Sequence, residues 1–126
     1  MLTECERPRS TRCNKGVFAS EDDALDNVLA RLVAAFDPQC VWLFGSRARG
    51  THRPDSDFDL LFVAKPGGCF GSDDYEMVFE PTRGLGVGCD IVPCSAEDFE
   101  EASQIRTSLV AQILQHGRRL YDAKTH

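Results

Sequence analysis

Two aspartates, Asp57 and Asp59, stand two residues apart at the start of an apolar run in the middle of the chain. On a β-strand, side chains at that spacing project from the same face. Two neighbouring carboxylates raise each other's pKa unless a cation lies between them. Magnesium prefers oxygen ligands and keeps coordination positions open for substrate phosphates. The pair therefore predicts a divalent-metal site, and Mg²⁺ is the ion that we expect there.

A third acidic residue, Asp90, interrupts the apolar run that begins at Val87. An unpaired charge is costly to bury, so Asp90 should have a partner. If its strand lies beside that of Asp57 and Asp59, the three carboxylates form a two-metal site. Such a site can activate an attacking hydroxyl and hold the phosphates of a nucleotide. The alternative partner is an arginine such as Arg83, which would make Asp90 half of a salt bridge.

A glycine-serine turn, Gly45-Ser46, precedes the aspartates. Glycine permits close approach of the backbone, and a serine hydroxyl can hydrogen-bond a phosphate oxygen. A short helix over about residues 46–51 would direct backbone N–H groups into the same cleft. The turn therefore predicts a phosphate-binding element beside the carboxylates.

Three arginines, Arg47, Arg49 and Arg53, follow this turn and offer positive charge for a triphosphate. Arg49 could equally make a structural bond to the loop of Asp57. His52 is expected to be an exposed loop residue and not a catalytic base.

The elements that must position these residues follow from periodicity and turn signals. Ser20 and the acidic residues after it predict a helix start, and apolar residues at three- and four-residue intervals predict an amphipathic helix over 21–36. The remaining predicted elements are a buried strand 40–44, the short helix 46–51, a central strand 57–64, a short helix carrying Tyr75, Val78 and Phe79, a strand 87–93, a helix that begins after Ser95, breaks near Ser103 and stops at His116-Gly117, and an edge strand 118–121. This order predicts a two-layer α/β (α+β) domain.

The chain has 126 residues, the size of one domain. Residues 1–18 lack periodicity and are predicted to be a disordered tail, followed by the domain at 19–123 and a short tail at 124–126. There is no apolar signal-peptide core and no run of about 18 apolar residues, so we expect a cytoplasmic protein with no membrane partner. The net charge of −6 makes nucleic acid an unexpected partner.

Six cysteines occur, and none forms a Cys-x-x-Cys pair. No histidine stands at zinc-ligand spacing from them, so a zinc site is not expected. In a cytoplasmic chain they should be reduced thiols, several of them buried as small apolar residues.

The stretch from Gly45 to Leu60 resembles the Gly-Ser-x-Ala-Arg-Gly … Ser-Asp-x-Asp-Leu signature of the minimal nucleotidyltransferases. These are the smallest members of the polymerase-β-like nucleotidyltransferase superfamily. The match is close at every motif position. The resemblance also includes Asp90 on a later strand, and the last helix with Gly117 and Leu120-Tyr121 after it. The resemblance covers most of residues 20–122, and the glycine-rich 66–88 segment departs from it.

The resemblance implies a nucleotidyltransferase fold, a small mixed β-sheet flanked by helices, and Mg²⁺-dependent transfer of a nucleoside monophosphate from a nucleoside triphosphate to a hydroxyl. It implies that Gly45 and Ser46 bind the triphosphate and that Asp57 and Asp59 bind both metals. Asp90 would activate the acceptor hydroxyl.

Many small members of this family are antitoxins that transfer AMP from ATP to tyrosines of a helical HEPN ribonuclease toxin. The leading hypothesis is therefore an antitoxin-type protein adenylyltransferase, because the carboxylate triad stands in a domain with no appended acceptor-binding domain. One alternative is a small-molecule nucleotidyltransferase of the aminoglycoside-modifying kind, which generally carries a further helical domain. Another is a non-catalytic antitoxin, whose acidic surface would suit a basic ribonuclease.

Overall fold

The computed structural model of the protein describes residues 13–125, so residues 1–12 of the predicted tail and His126 lie outside the described range. Each element predicted from the sequence is present, and the bounds differ only at the ends of some elements. The elements are α1 (Glu21–Phe36), β1 (Cys40–Phe44), α2 (Ser46–Arg49), β2 (Phe58–Val63), α3 (Tyr75–Phe79), β3 (Cys89–Cys94), α4 (Ala96–Ser103), α5 (Leu109–His116) and β4 (Arg118–Asp122), with 3₁₀ turns at Glu80–Thr82 and Ala123–Thr125.

The four strands form one sheet in the order β3-β2-β1-β4. Strand β1 is antiparallel to both β2 and β4, whereas β2 and β3 run parallel. The sheet is therefore mixed, and β2 is internal, as its apolar sequence predicts. The predicted fold class, a small mixed sheet flanked by helices, is confirmed.

Helices cover both faces of the sheet. Along β1, Val41 and Leu43 point into one apolar cluster, and Cys40 and Trp42 point into another. The first cluster includes residues of α1 and α3, and the second includes residues of α4 and α5. The domain thus has three layers where the sequence pattern predicts two. The extra layer arises because α4 and α5 return to the face opposite α1.

Helix α1 begins and ends as its sequence predicts. The Ser20 hydroxyl accepts a hydrogen bond from the backbone N–H of Asp23 at 3.0 Å, which caps the first turn. The helix ends at Phe36, and the capping residue Asp37, just before Pro38, has a left-handed φ of 48°. Its buried face packs the first layer onto the sheet. No helix within residues 13–125 is long and apolar enough to span a membrane.

Part of the segment that the sequence assigns to the tail, residues 13–18, contacts the domain. Asn14 is 8% exposed, and its backbone N–H donates to the carbonyl of Pro54 at 2.9 Å. Gly16 has a φ of +56°, and a Cβ at this position would collide with the carbonyl oxygen of Leu85. Residues 13–18 therefore pack onto the domain. This segment carries no periodic signal because it is held by single polar contacts and not by an amphipathic face.

A buried arginine links three parts of the fold. Arg47 is 8% exposed, and its Nη1 lies 2.9 Å from Oε1 of Glu21 on α1. Its Nε and Nη2 donate to the carbonyls of Ser56 and Pro54, both at 3.0 Å. The guanidinium carbon lies 4.2 Å from the ring centroid of Phe58. This side chain therefore fixes the loop before β2 to both α1 and α2, and its hydrogen bond lowers the pKa of the Glu21 carboxyl.

We expect Arg47→Ala to lower the free energy of unfolding by about 2–4 kcal/mol, because it removes the ion-pair partner of Glu21 and one of the donors to each of two carbonyls. Chemical denaturation measures this loss. The matched control is Arg31→Ala on the exposed side of α1, which should change stability by less than about 0.5 kcal/mol. Equal effects of the two substitutions would contradict the role given to Arg47.

Candidate active site

The three predicted carboxylates lie on one face at one end of the sheet. Asp57 directly precedes β2, Asp59 is its second residue, and the parallel register pairs Asp59 with Asp90 on β3. Paired residues on neighbouring strands point to the same face, as do residues two apart on one strand. Asp57 and Asp90 are exposed, and Asp59 is half-buried. The arrangement leaves the carboxylates open to a ligand from solvent.

The exposure of Asp90 differs from the expectation of a buried charge. This residue lies on an edge strand, so it carries no burial cost that demands a partner. The alternative salt bridge to Arg83 is not formed, because Arg83 Nε pairs with Glu80 Oε1 at 3.0 Å. The expected adjacency of its strand to the strand of Asp59 is present in the structure.

Mutual repulsion shapes the electrostatics of this face. Burial, and then the negative charges of Asp90 and Asp57, raise the pKa of the Asp59 carboxyl, and the positive charge of Arg49 partly offsets the effect. Ionisation of Asp59 is therefore less favourable in the protein than in water. A cation placed among the three carboxylates would remove this penalty.

The donor chemistry fits a hard divalent ion. All the candidate ligands on this face are carboxylates, the ligand type that Mg²⁺ prefers. Within residues 13–125, no three His, Cys, Asp or Glu side chains are already gathered closely enough to hold an ion. Asp57 and Asp59 would hold the ion from one strand, and Asp90 would approach it from the next.

Two glycines make room for two of these carboxylates. Gly45, with a φ of +75°, lies where a Cβ would collide with Oδ2 of Asp59. Gly88 lies where a Cβ would collide with Oδ1 of Asp57. The sequence motif points to Gly45 but not to Gly88. The only sequence signal at Gly88 is that of a glycine preceding a β-strand, which is too common to be specific.

A cleft of about 270 Å³ adjoins the glycine-serine turn. Gly45 lines this cleft and also contacts Asp59, so the cleft and the carboxylate share a wall. Ser46 is half-buried, and its hydroxyl makes no hydrogen bond within the described part of the chain. The other lining residues are Phe44, Arg49, Leu109, Gln112, Ile113, His116 and Gly117. From the sequence, the residues of α5 are expected only as part of a packing helix.

The arginines after the turn divide into two roles. Arg47 is committed to Glu21 and to backbone carbonyls, so the expectation that it binds a phosphate is not supported. Arg49 is exposed, lines the cleft and acts on Asp59, and among residues 13–125 it makes no side-chain hydrogen bond to the Asp57 loop. His52 is exposed, as predicted. Arg53 is also exposed but does not line the cleft, so Arg49 is the cleft arginine whose side chain is available to a ligand.

None of the cysteines within residues 13–125 lines the cleft beside the carboxylate face. The five cysteines within the described residues are free thiols, and Cys40 and Cys94 are buried. Burial raises the pKa of Cys89 to about 12 and that of Cys94 to about 11. Both thiols stay protonated at neutral pH and are poor nucleophiles.

A larger groove of about 990 Å³ lies at the opposite end of the sheet, between α4 and β4. Trp42 and Phe99 provide apolar lining, and Glu97 and Arg119 provide charge. None of the candidate catalytic or phosphate-binding residues lines it. Size alone therefore does not mark the site of chemistry, and we assign that site to the carboxylate face.

Comparisons with known proteins point to the same family as the motif. A model of the nucleotidyltransferase domain family matches residues 25–120. A crystal structure of a toxin-antitoxin with AMP-PNP is 22% identical and covers 77% of this chain and 73% of its own, with a TM-score of 0.53. A toxin-antitoxin MntA-HpeT mutant is 18% identical and covers 81% and 73%, with a TM-score of 0.50. At these identities the two structures show a shared fold. A comparison with curated proteins gives no match.

We expect Gly45→Ala to destabilise the protein and to abolish divalent-ion binding, because the new methyl group would displace the Asp59 carboxylate. The matched control is Gly50→Ala, since Gly50 has a similar φ of +78° but a methyl group there would meet no atom within 4 Å. Both variants should lose about 1 kcal/mol from backbone strain. Only the first should lose Mn²⁺ affinity in a calorimetric titration, and equal losses would contradict the contact.

We expect Asp59→Asn to raise the melting temperature of the metal-free protein by about 2–4 °C, because it removes a half-buried charge facing two others. The variant should also lose the stabilisation that Mg²⁺ gives the wild type. Asp73→Asn, which removes an exposed carboxylate before α3, is the control and should change neither value. A lower melting temperature for Asp59→Asn in the absence of metal would contradict the repulsion.

Proposed function

The chain belongs to the nucleotidyltransferase domain family, and on that premise we propose that it transfers AMP from ATP to a tyrosine hydroxyl of a HEPN-type toxin. Members of this family generally use a nucleoside triphosphate and a divalent metal ion. The observation that carries the proposal is the register that places Asp59 beside Asp90, with Asp57 on the same face. Mg²⁺ is the proposed ion, held by these three carboxylates.

The nucleotide half of the site is proposed at the glycine-serine turn. Because Gly45 has no side chain, the turn lies directly against the Asp59 carboxylate, so a phosphate bound at the turn would lie beside the proposed ion site. The Ser46 hydroxyl, which has no hydrogen-bond partner among residues 13–125, can donate to a phosphate oxygen. Arg49 adds positive charge at the mouth of the same cleft. A nucleoside bound there would lie against the apolar wall that Phe44 and Leu109 provide.

The acceptor half of the site is proposed at β3. Asp90 is exposed on the edge strand, so a hydroxyl arriving from solvent can reach its carboxylate. Asp90 would take the proton as the hydroxyl oxygen attacks the α-phosphorus. The bond from that phosphorus to pyrophosphate then breaks. A bound divalent ion would supply charge for the attacking oxygen and for the leaving pyrophosphate.

The choice of ATP and of a toxin acceptor rests on the motif and on the fold. The Gly45 to Leu60 stretch resembles the minimal nucleotidyltransferases, and two structures with the same fold belong to toxin-antitoxin pairs, one of them with AMP-PNP. AMP-PNP is an analogue of ATP, which favours ATP as the donor. The net charge of −6 favours a basic partner over nucleic acid.

Incubation of the protein with ATP, Mg²⁺ and its proposed HEPN-type toxin partner should add one or more AMP units to that partner. Intact-mass spectrometry measures the addition, and a tyrosine-to-phenylalanine substitution at the labelled site should remove it. A correctly folded pair that gains no mass would contradict the proposal.

The control is Asp57→Asn combined with Asp59→Asn, which should give no labelling while leaving the partner bound. If this double variant neutralises the partner as well as the wild type does, contact alone is sufficient and the transfer is not the protective step. Labelling of an aminoglycoside in place of the partner protein would instead assign the enzyme to small-molecule chemistry.

A further inference from the structure

One buried side chain outside the motif joins the loop before β2 to the loop before β3, next to the acidic residues. The Nδ2 of Asn14 donates to the carbonyl of Ser56 at 2.9 Å and to the carbonyl of Gly88 at 2.8 Å. Its Oδ1 accepts from the backbone N–H of Gly88 at 2.6 Å. A single amide thus makes three hydrogen bonds, all to backbone groups, in a residue that is 8% exposed.

These backbone groups stand directly beside the candidate ligands. Ser56 precedes Asp57 in the chain, and Gly88 is two residues before Asp90. Gly88 also packs against Oδ1 of Asp57, and its carbonyl accepts the N–H of Phe58 at 3.0 Å. Asn14 therefore holds the first backbone contact between the two parallel strands, at the end of the sheet that carries the carboxylates.

Asn14 is itself fixed in place by the segment around it. Its backbone N–H is bonded to the carbonyl of Pro54, in the same loop as Ser56. The next turn is closed by a hydrogen bond from the N–H of Phe18 to the carbonyl of Lys15 at 2.9 Å. Gly16 packs against the loop that leads to β3. The amide is thus held at a defined position and does not depend on the ligand for its orientation.

We propose that Asn14 is a positioning residue for the divalent-ion site, which sets the separation of Asp57 and Asp90 through the backbone on either side. This inference rests on the proposed function, because it assumes that these carboxylates share an ion. Asn14 touches neither ion nor substrate in this role. A residue that only filled a polar gap would affect stability alone, whereas a positioning residue must also affect ion affinity.

The test is Mn²⁺ binding to the full-length protein, measured by electron paramagnetic resonance of the free ion at a temperature where every variant is folded. We expect Asn14→Ala to weaken Mn²⁺ binding by about tenfold or more, the usual effect of removing a residue that orients metal ligands. Asn27→Ala is the matched control, because Asn27 donates one hydrogen bond at 2.9 Å to the Asp23 carbonyl on the exposed side of α1. This control should bind Mn²⁺ as the wild type does.

A second variant, Asn14→Gln, keeps a buried amide but adds a methylene group that shifts it. It keeps the inference testable if Asn14→Ala fails to fold, and it should also weaken Mn²⁺ binding. Mn²⁺ affinity within twofold of the wild type in a folded Asn14 variant would overturn the inference and leave the proposed function standing. A wild-type protein that binds no Mn²⁺ would overturn the proposed ion site, and the inference with it.

Discussion

The parallel pairing of β2 with β3 is the constraint on which the rest of the site depends. Its register places Asp59 opposite Asp90, so that two strands present carboxylates to the same face. Parallel strands cannot be joined by a tight turn, so the ends of this pair are positioned by the loops before them. Polar side chains hold those loops: Arg47 binds the loop before β2, and Asn14, 42 and 74 residues away from its two partners, binds both loops. Polar contacts thus fix the positions of the two loops, which the apolar core alone would not define.

Some residues of the candidate site lower the stability of the domain. Asp59 is half-buried beside two like charges, and its pKa is raised for that reason. A protein selected only for stability would place an apolar or amide side chain here. Gly45 adds to the cost, because its left-handed backbone leaves room for the carboxylate and excludes any larger residue. Neighbouring like charges beside a turn that only glycine can occupy are expected at a functional site, where a bound cation would offset the repulsion.

Most of the fold could be predicted from the sequence, because its signals are local. The Ser20 cap and the apolar periodicity define α1, and β-branched and aromatic runs define the strands. The paired aspartates and Asp90 follow from the period of two and from a charge in an apolar run. The three-layer arrangement could not be predicted from the sequence. Periodicity shows which face of a helix is apolar, but it does not show which side of the sheet that helix covers.

The parts that escaped prediction depend on contacts between distant residues. Arg47 lies in an arginine-rich turn, and only its contacts with Glu21 and two carbonyls show that it is structural. Asn14 lies in a segment without periodicity, yet it spans 74 residues to reach Gly88. No local sequence pattern indicates the role of such a residue, so the role can be recognised only from the contacts in the folded structure.

The proposed chemistry requires Asp57, Asp59 and Asp90 to hold the ion that serves the nucleotide. Anomalous diffraction from crystals grown with Mn²⁺ and a non-hydrolysable ATP analogue would locate that ion directly. We expect Mn²⁺ within about 2.5 Å of carboxylate oxygens of Asp57 and Asp59, with the triphosphate against Gly45 and Ser46. Mn²⁺ bound elsewhere, or an analogue seated in the groove between α4 and β4 with the carboxylate face empty, would contradict this assignment.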